Sequence, residues 1–104
     1  MSDNGLTPSQ KKIIKEILHP FANQIHMVGL FGSRATGLYR DNSDIDLVIY
    51  GDLIEEDINR IWTLFDSSPL PIKVDVNVYS LITYAPLKEH IDAVMQPLFG
   101  KEDF

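Results

Sequence analysis

Two aspartates set one residue apart, Asp44 and Asp46, are the residues of this chain best suited to do chemistry. They sit in "GLFGSRATGLYRDNSDIDLVIYG", which also holds four of the chain's six glycines. Side chains at i and i+2 of a strand leave from the same face. Asp44 and Asp46 therefore point the same way, about 6.5–7 Å apart along the backbone. Neither can be buried cheaply as a bare charge. A third carboxylate, Asp75, stands at the centre of the alternating run "IKVDVNVYS". If the two strands are neighbours, about 4.8 Å apart, the three carboxylates converge on one patch of sheet. Like charges that close repel and raise one another's pKa unless a cation intervenes. A hard divalent ion is the usual remedy: Mg²⁺ takes oxygen ligands at roughly 2.0–2.1 Å and bridges to phosphates. Two such ions, about 3.5–4 Å apart, can hold the attacking and leaving oxygens of an in-line phosphoryl-type transfer.

The turn ahead of the aspartates fits an anionic ligand. Gly32 follows an apolar run and lets backbone approach a ligand with no Cβ in the way. Ser33 offers a hydroxyl and an N–H. A short helix opening at Ser33-Arg34-Ala35-Thr36 would present free N–H groups to an anion, and Gly37 can end it in a left-handed conformation. Taken singly these features are commonplace. A D-x-D is often a solvated turn, a strand aspartate is often a surface residue, and a Gly-Ser turn says little. Their combination is far more specific.

The elements that must position these residues are legible from periodicity. Thr7-Pro8-Ser9-Gln10 reads as a helix start with a capping box and proline at the first helical position. Ile13, Ile14, Ile17 and Leu18 then share a face, and Pro20 stops the helix. Residues 26–32 and 44–51 read as strands. Asp52 is placed to cap a following helix, with Glu55, Glu56 and Asp57 near its positive end. In that helix Ile54, Ile58, Ile61, Trp62 and Phe65 form a core stripe. Residues 67–71 are a loop, and 72–80 alternate as a half-buried strand. Leu87, Ile91, Val94, Met95 and Leu98 make a last amphipathic helix interrupted at Pro97, and the tail "GKEDF" carries no signal. Helix and strand alternate throughout, so the expected fold class is α/β. The expected architecture is two layers, with helices packed on a small mixed sheet, in a single domain spanning 1–104.

Composition narrows the function classes. A net charge of -6 argues against direct nucleic-acid binding, which relies on Lys and Arg at phosphates. It leaves room for a nucleotide held through metal ions. With no cysteine in the chain, disulfides and thiolate metal sites are excluded, and a cytoplasmic setting is the expectation. No apolar run approaches a membrane span, and the polar, acidic start "MSDNGLTPSQ" is not a secretory signal. His19, His26 and His90 are scattered without ligand spacing. No Ser-His-Asp or Cys-His arrangement can be assembled.

Gly32-Ser33, ten residues 34–43, then Asp44-Ile45-Asp46 resembles the signature of the minimal nucleotidyltransferases of the DNA polymerase beta superfamily. The fuller pattern "FGSRATG…SDIDLVI" and the late carboxylate in "KVDVNVY" match as well, so the likeness covers nearly the whole chain. The resemblance implies the nucleotidyltransferase fold, with Asp44 and Asp46 ligating two Mg²⁺ ions. Asp75 would ligate the catalytic metal and deprotonate or orient the acceptor hydroxyl. Gly32 and Ser33 would hold the terminal phosphates of ATP, the implied substrate. Arg34 either reaches a phosphate or faces solvent; Tyr39 either stacks on a base or covers the loop, and Arg40 is left unassigned. Larger superfamily members grip the acceptor with a further domain for which this chain has no room. The family thus implies a partner: an adjacently encoded, helical HEPN-type protein acting as a toxin, with AMP transferred to its tyrosine and this chain as antitoxin. Two alternatives stand beside that reading. One is a binding module that neutralises its partner without catalysis; the other is nucleotidyl transfer to a small molecule or an RNA end.

Overall fold

A computed structural model describes residues 4–104 of the chain; the first three residues of the polar N-terminal segment lie outside the described residues. Thr7 opens helix α1 (Pro8–Leu18) with a reciprocal capping box. Its Oγ1 accepts from the Gln10 N–H at 3.1 Å, and Gln10 Oε1 accepts from the Thr7 N–H at 3.0 Å. Two orphan donors of the first turn are thereby satisfied. Pro20 falls in the 3₁₀ turn His19–Gln24 that follows. Strand β1 (Ile25–Phe31) comes next, then the single turn of helix α2 (Ser33–Thr36), strand β2 (Ile45–Gly51) and helix α3 (Glu55–Asp66). Strand β3 (Val74–Val78), helix α4 (Ala85–Val94) and strand β4 (Gln96–Gly100) complete the order. Among the described residues no helix is long and apolar enough to cross a membrane.

The four strands form one mixed sheet in the order β3-β2-β1-β4. β1 pairs antiparallel with both β2 and β4, while β2 and β3 run parallel. A parallel pair needs a crossover, and α3 supplies it. Alternation along the strands sorts the side chains. Val28, Leu30, Ile45, Leu47, Ile49, Val74, Val76 and Val78 face α1 and α3 in the main core with Ile14, Leu18, Ile61 and Phe65. The opposite face carries Phe31 and Val48, packed on Ile91 of α4. Tyr79, just past β3, donates its hydroxyl to Asp92 Oδ1 at 2.8 Å and stacks on Tyr50 with ring centroids 4.9 Å apart. That bond pins α4 to the far end of this second face and pushes the Tyr79 phenol pKa up.

Three expectations need correction. The last helix does not run on to Leu98. It ends at Val94, and residues 96–100 form β4. Pro97 lacks an N–H, so it cannot continue a helix and is confined to a sheet edge or bulge; it lies on the edge strand, where the β1–β4 register shifts between Val28 and Gly29. Phe99 then turns into the main core. Secondly, Asp52 does not cap α3. The N-cap is Ile54, which is exposed rather than part of the core stripe. Its N–H donates to Asp57 Oδ2 at 3.1 Å, and the same oxygen accepts from Gln24 Nε2 at 3.0 Å. Asp52 instead faces His26 at 3.6 Å on the surface. Thirdly, the third strand is shorter than 72–80 and spans Val74–Val78.

Leu47 is fully buried at the centre of β2, directly beneath the carboxylate face. Leu47→Ala should lower unfolding free energy by about 2–5 kcal/mol. Urea denaturation followed by circular dichroism measures this as a lower midpoint with an unchanged slope.

Candidate active site

Parallel pairing of β2 with β3 sets Asp46 directly beside Asp75, as Leu47 lies beside Val76 and Ile45 beside Val74. The apolar partners fix this register, since a slip of one residue would turn Leu47 and Ile49 out of the core. Asp46 and Asp75 thus leave the same face, the one α4 only partly covers, and both are half-buried. Asp44 stands just before β2 and is exposed. The Ile45 N–H donates to the Lys73 carbonyl at 2.9 Å, tying the Asp44 end of β2 to the start of β3. Asp46 and Asp75 therefore share one end of one sheet face, and Asp44, just ahead of β2, is near enough for its charge to act on Asp46.

Their charges act on one another. The Asp46 pKa is raised from the ordinary 3.8 to about 6. Partial burial is the largest cause, followed by repulsion from Asp75 and then Asp44; His90 and Lys73 pull the other way. Lys73 Nζ lies 3.8 Å from Asp75 Oδ1, but it is 64% exposed, so water weakens that pair. Local cations thus compensate the cluster only in part.

The Gly-Ser turn closes on these carboxylates. Gly32 follows Phe31, the last residue of β1 and the register partner of Asp46. Its φ of +71° suits glycine, and a Cβ there would collide with Asp46 Oδ2. Ser33 starts α2 immediately beyond, and Gly37 ends it in the left-handed region at φ +82°.

Arg34 is turned away from solvent into the protein. Its guanidinium is 2% exposed and donates to the main-chain carbonyls of Asn4, Asp41 and Ser43. These bonds occupy Nε, Nη1 and Nη2, so the assignment of Arg34 to nucleotide binding is withdrawn. Tyr39 packs against that guanidinium, 5.2 Å from ring centroid to Cζ, and so covers the loop. Arg40 is exposed, and its N–H donates to Ser43 Oγ at 2.7 Å. His90, one of three histidines read as scattered, is the residue the sequence did not reveal. It comes from α4, meets Phe31 edge-on at 6.1 Å, and its charge acts on Asp46. No local spacing could have signalled it, because α4 reaches the site only through tertiary packing.

An open sheet face with a D-x-D at the head of one strand, a third carboxylate on the next and a Gly-Ser turn across from both suits metal-assisted transfer of a nucleotidyl group. A family model described as "Polymerase beta, Nucleotidyltransferase" matches residues 11–104. The chain belongs to this nucleotidyltransferase family. Among solved structures it is similar to a toxin-antitoxin complex crystallised with AMP-PNP, at 25% identity and a TM-score of 0.70, over 86% of this chain and 73% of that one. A toxin-antitoxin MntA-HepT complex is similar in fold at 21% identity and a TM-score of 0.66, covering 93% and 75%. A candidate nucleotidyltransferase of Sulfolobus solfataricus shares the fold more distantly, at 21% identity and a TM-score of 0.55, covering 88% and 78%. No curated protein matches the sequence.

The donor set of this candidate site fits a divalent cation. It consists of hard carboxylate oxygens, one of them destabilised by its like-charged neighbours, with a glycine leaving space at the Asp46 oxygen. Among the described residues no three side chains close into a finished metal cage. Mg²⁺ is ordinarily held by one or two carboxylates together with water and substrate phosphates, so an open, incomplete donor set suits it.

Two outcomes follow from this geometry. A raised carboxylate pKa means that the folded, metal-free chain holds a proton that the unfolded chain has lost between about pH 4 and 6. Stability contributed by this group therefore declines as pH rises through that window. Asp46→Asn should abolish that decline and raise the Tm of the metal-free protein at pH 7; parallel thermal melts of both forms from pH 4 to 8 measure the difference. Gly32→Ala should cost about 1–3 kcal/mol, from forcing a Cβ into a left-handed position against Asp46. Urea denaturation gives the cost, and titration with Mn²⁺ should show weaker binding than wild type.

Proposed function

We propose that the chain is a Mg²⁺-dependent adenylyltransferase that moves AMP from ATP to a hydroxyl, a tyrosine being the leading acceptor, on a HEPN-type helical toxin, and thereby acts as its antitoxin in the cytoplasm. The observation that carries the reading is the pairing of Asp46 with Asp75 on an open sheet face, with Gly32 packed against the Asp46 carboxylate. The likeness to a toxin-antitoxin complex crystallised with AMP-PNP supports the choice of an ATP-type substrate and a toxin partner.

In this reading Asp44, Asp46 and Asp75 hold the metal. When bound, Mg²⁺ neutralises the carboxylates, screens the triphosphate and makes the acceptor hydroxyl more acidic. Gly32 and Ser33 receive the terminal phosphates and orient the α-phosphorus toward the carboxylates. Asp75 orients the acceptor hydroxyl and takes its proton. The acceptor oxygen forms a bond to the α-phosphorus as the bond from that phosphorus to the bridging oxygen breaks, and pyrophosphate leaves with the electron pair. The negative surface of the chain matters little to this step, because the substrate's charge is met at the metal rather than by a basic groove.

The test incubates the purified chain with ATP, Mg²⁺ and the product of the adjacent reading frame, then weighs that partner by mass spectrometry. The expected result is a partner heavier by AMP, and no gain for the Asp44→Asn/Asp46→Asn double variant. An unmodified partner in a buffer where a control adenylyltransferase works would reject the proposal. A double variant that still neutralises the partner would favour complex formation over catalysis.

A further inference from the structure

We infer that Arg34 is a positioning residue: its buried guanidinium, held from behind by the segment 4–6, anchors the backbone before Asp44 and so sets the affinity of the site for its divalent ion and nucleotide. The inference rests on the nucleotidyl-transfer reading above. Asp44 is the carboxylate of the trio that lies outside a strand. Something other than the sheet ladder must hold it. On its C-terminal side the anchor is the Ile45 N–H, bonded to the Lys73 carbonyl at 2.9 Å. On its N-terminal side the anchor is Arg34. Nε and Nη2 both donate to the Ser43 carbonyl, at 3.2 and 3.0 Å, and Nη2 also reaches the Asp41 carbonyl at 3.4 Å. The turn so gripped is itself closed: the Ser43 N–H donates to the Arg40 carbonyl at 3.0 Å, and Ser43 Oγ accepts from the Arg40 N–H at 2.7 Å. Asp44 is thus suspended between two fixed peptide groups.

The guanidinium is fixed in turn by the N-terminal segment. Nη1 donates to the Asn4 carbonyl at 2.9 Å. The Leu6 N–H donates to Asn4 Oδ1 at 3.0 Å, and the Leu6 side chain is buried in the main core. Gly5 crosses between them at φ +74°, so close that a Cβ would lie 2.7 Å from Nη1. A buried guanidinium is a poor source of net stability, since its desolvation offsets much of what its bonds return. Its planar fork is well suited to gathering carbonyls from several directions into one arrangement. Here it gathers three, from a remote segment and from the turn that leads into the D-x-D. Groups that orient metal ligands from behind typically change metal affinity about 10–100-fold when altered.

The experiment uses Arg34→Lys, whose single ammonium cannot span all three carbonyls, and Gly5→Ala, which presses on Nη1 from the far side. Binding of Mn²⁺ with ATP is measured by electron paramagnetic resonance, together with the urea midpoint and amide hydrogen exchange at 43–45 in the metal-free protein. The expected result for Arg34→Lys is a folded protein with faster exchange at 43–45 and Mn²⁺·ATP affinity lowered about tenfold or more. A purely structural role would lower the urea midpoint yet leave the affinity of the folded molecules alone. Affinity within about twofold of wild type in folded Arg34→Lys overturns the inference. Should Arg34→Lys not fold, Gly5→Ala is read by the same criterion. Wild-type protein that binds no Mn²⁺·ATP overturns the nucleotidyl-transfer reading and this inference with it, whereas normal wild-type binding with unchanged variants overturns this inference alone.

Discussion

Repulsion between carboxylates is the constraint around which this structure is arranged. Left to themselves, Asp44, Asp46 and Asp75 would move apart into water. Asp46 and Asp75 are kept together because every second residue of β2 and β3 is locked into a hydrophobic core, and Asp44 is tied to them through the backbone on either side of it. Ile45, Leu47 and Ile49 pair with Val74, Val76 and Val78, and the intervening positions have no freedom to choose their neighbours. Burial of that apolar layer is worth far more than the repulsion it enforces. The result is a site with its charge unsatisfied in the folded state, which is the condition for binding a cation tightly when one arrives with phosphates.

The asymmetry of the sheet completes the arrangement. One face is covered by α1 and α3 and carries stability. The other is covered by α4 only in part, pinned through Tyr79 and Asp92 at the end away from the carboxylates. The far end stays open for a substrate. Gly32 closes the remaining side, and its missing Cβ is what lets the backbone of the turn lie against the Asp46 carboxylate. Core, open face and turn therefore serve one purpose, namely to hold three acidic groups closer than their charges prefer while leaving a path to them.

Much of this was legible from local pattern. The capping box at Thr7 and Gln10 follows from four adjacent residues. Gly37 as a left-handed terminator follows from its place after a short turn. The inward set Ile45, Leu47 and Ile49 follows from strand alternation alone, whereas Asp44 falls just outside the strand that alternation assigns to it. What pattern could not supply was pairing between distant segments. Nothing in the local pattern makes β2 and β3 neighbours; only the tertiary register sets Asp75 beside Asp46. β4 resembles the end of a helix in sequence because Met95 and Leu98 continue an apolar spacing. The geometry at Pro97 and the edge of β1 overrode that spacing. Asp52 does not cap α3 because the helix begins beyond it: Ile54 is the N-cap, and Asp57, at the third helical position, accepts from its N–H.

Arg34 shows a deeper reason for such misses. An arginine one residue after a Gly-Ser turn is well placed by sequence to meet a phosphate, and its type and position say nothing against that. Its actual partners are main-chain carbonyls, which every residue possesses and which leave no trace in the letters of a sequence. Side chains that bind ligands and side chains that bind backbone are drawn from the same few residue types, because both tasks need charged, multidentate donors. Burial separates them: a group 2% exposed with its donors already engaged has no surface to offer a triphosphate. The division of labour that follows is a physical one. In the proposed site the exposed or half-buried carboxylates would meet the ligand, and the buried cation behind them holds the loop from which the first of them projects.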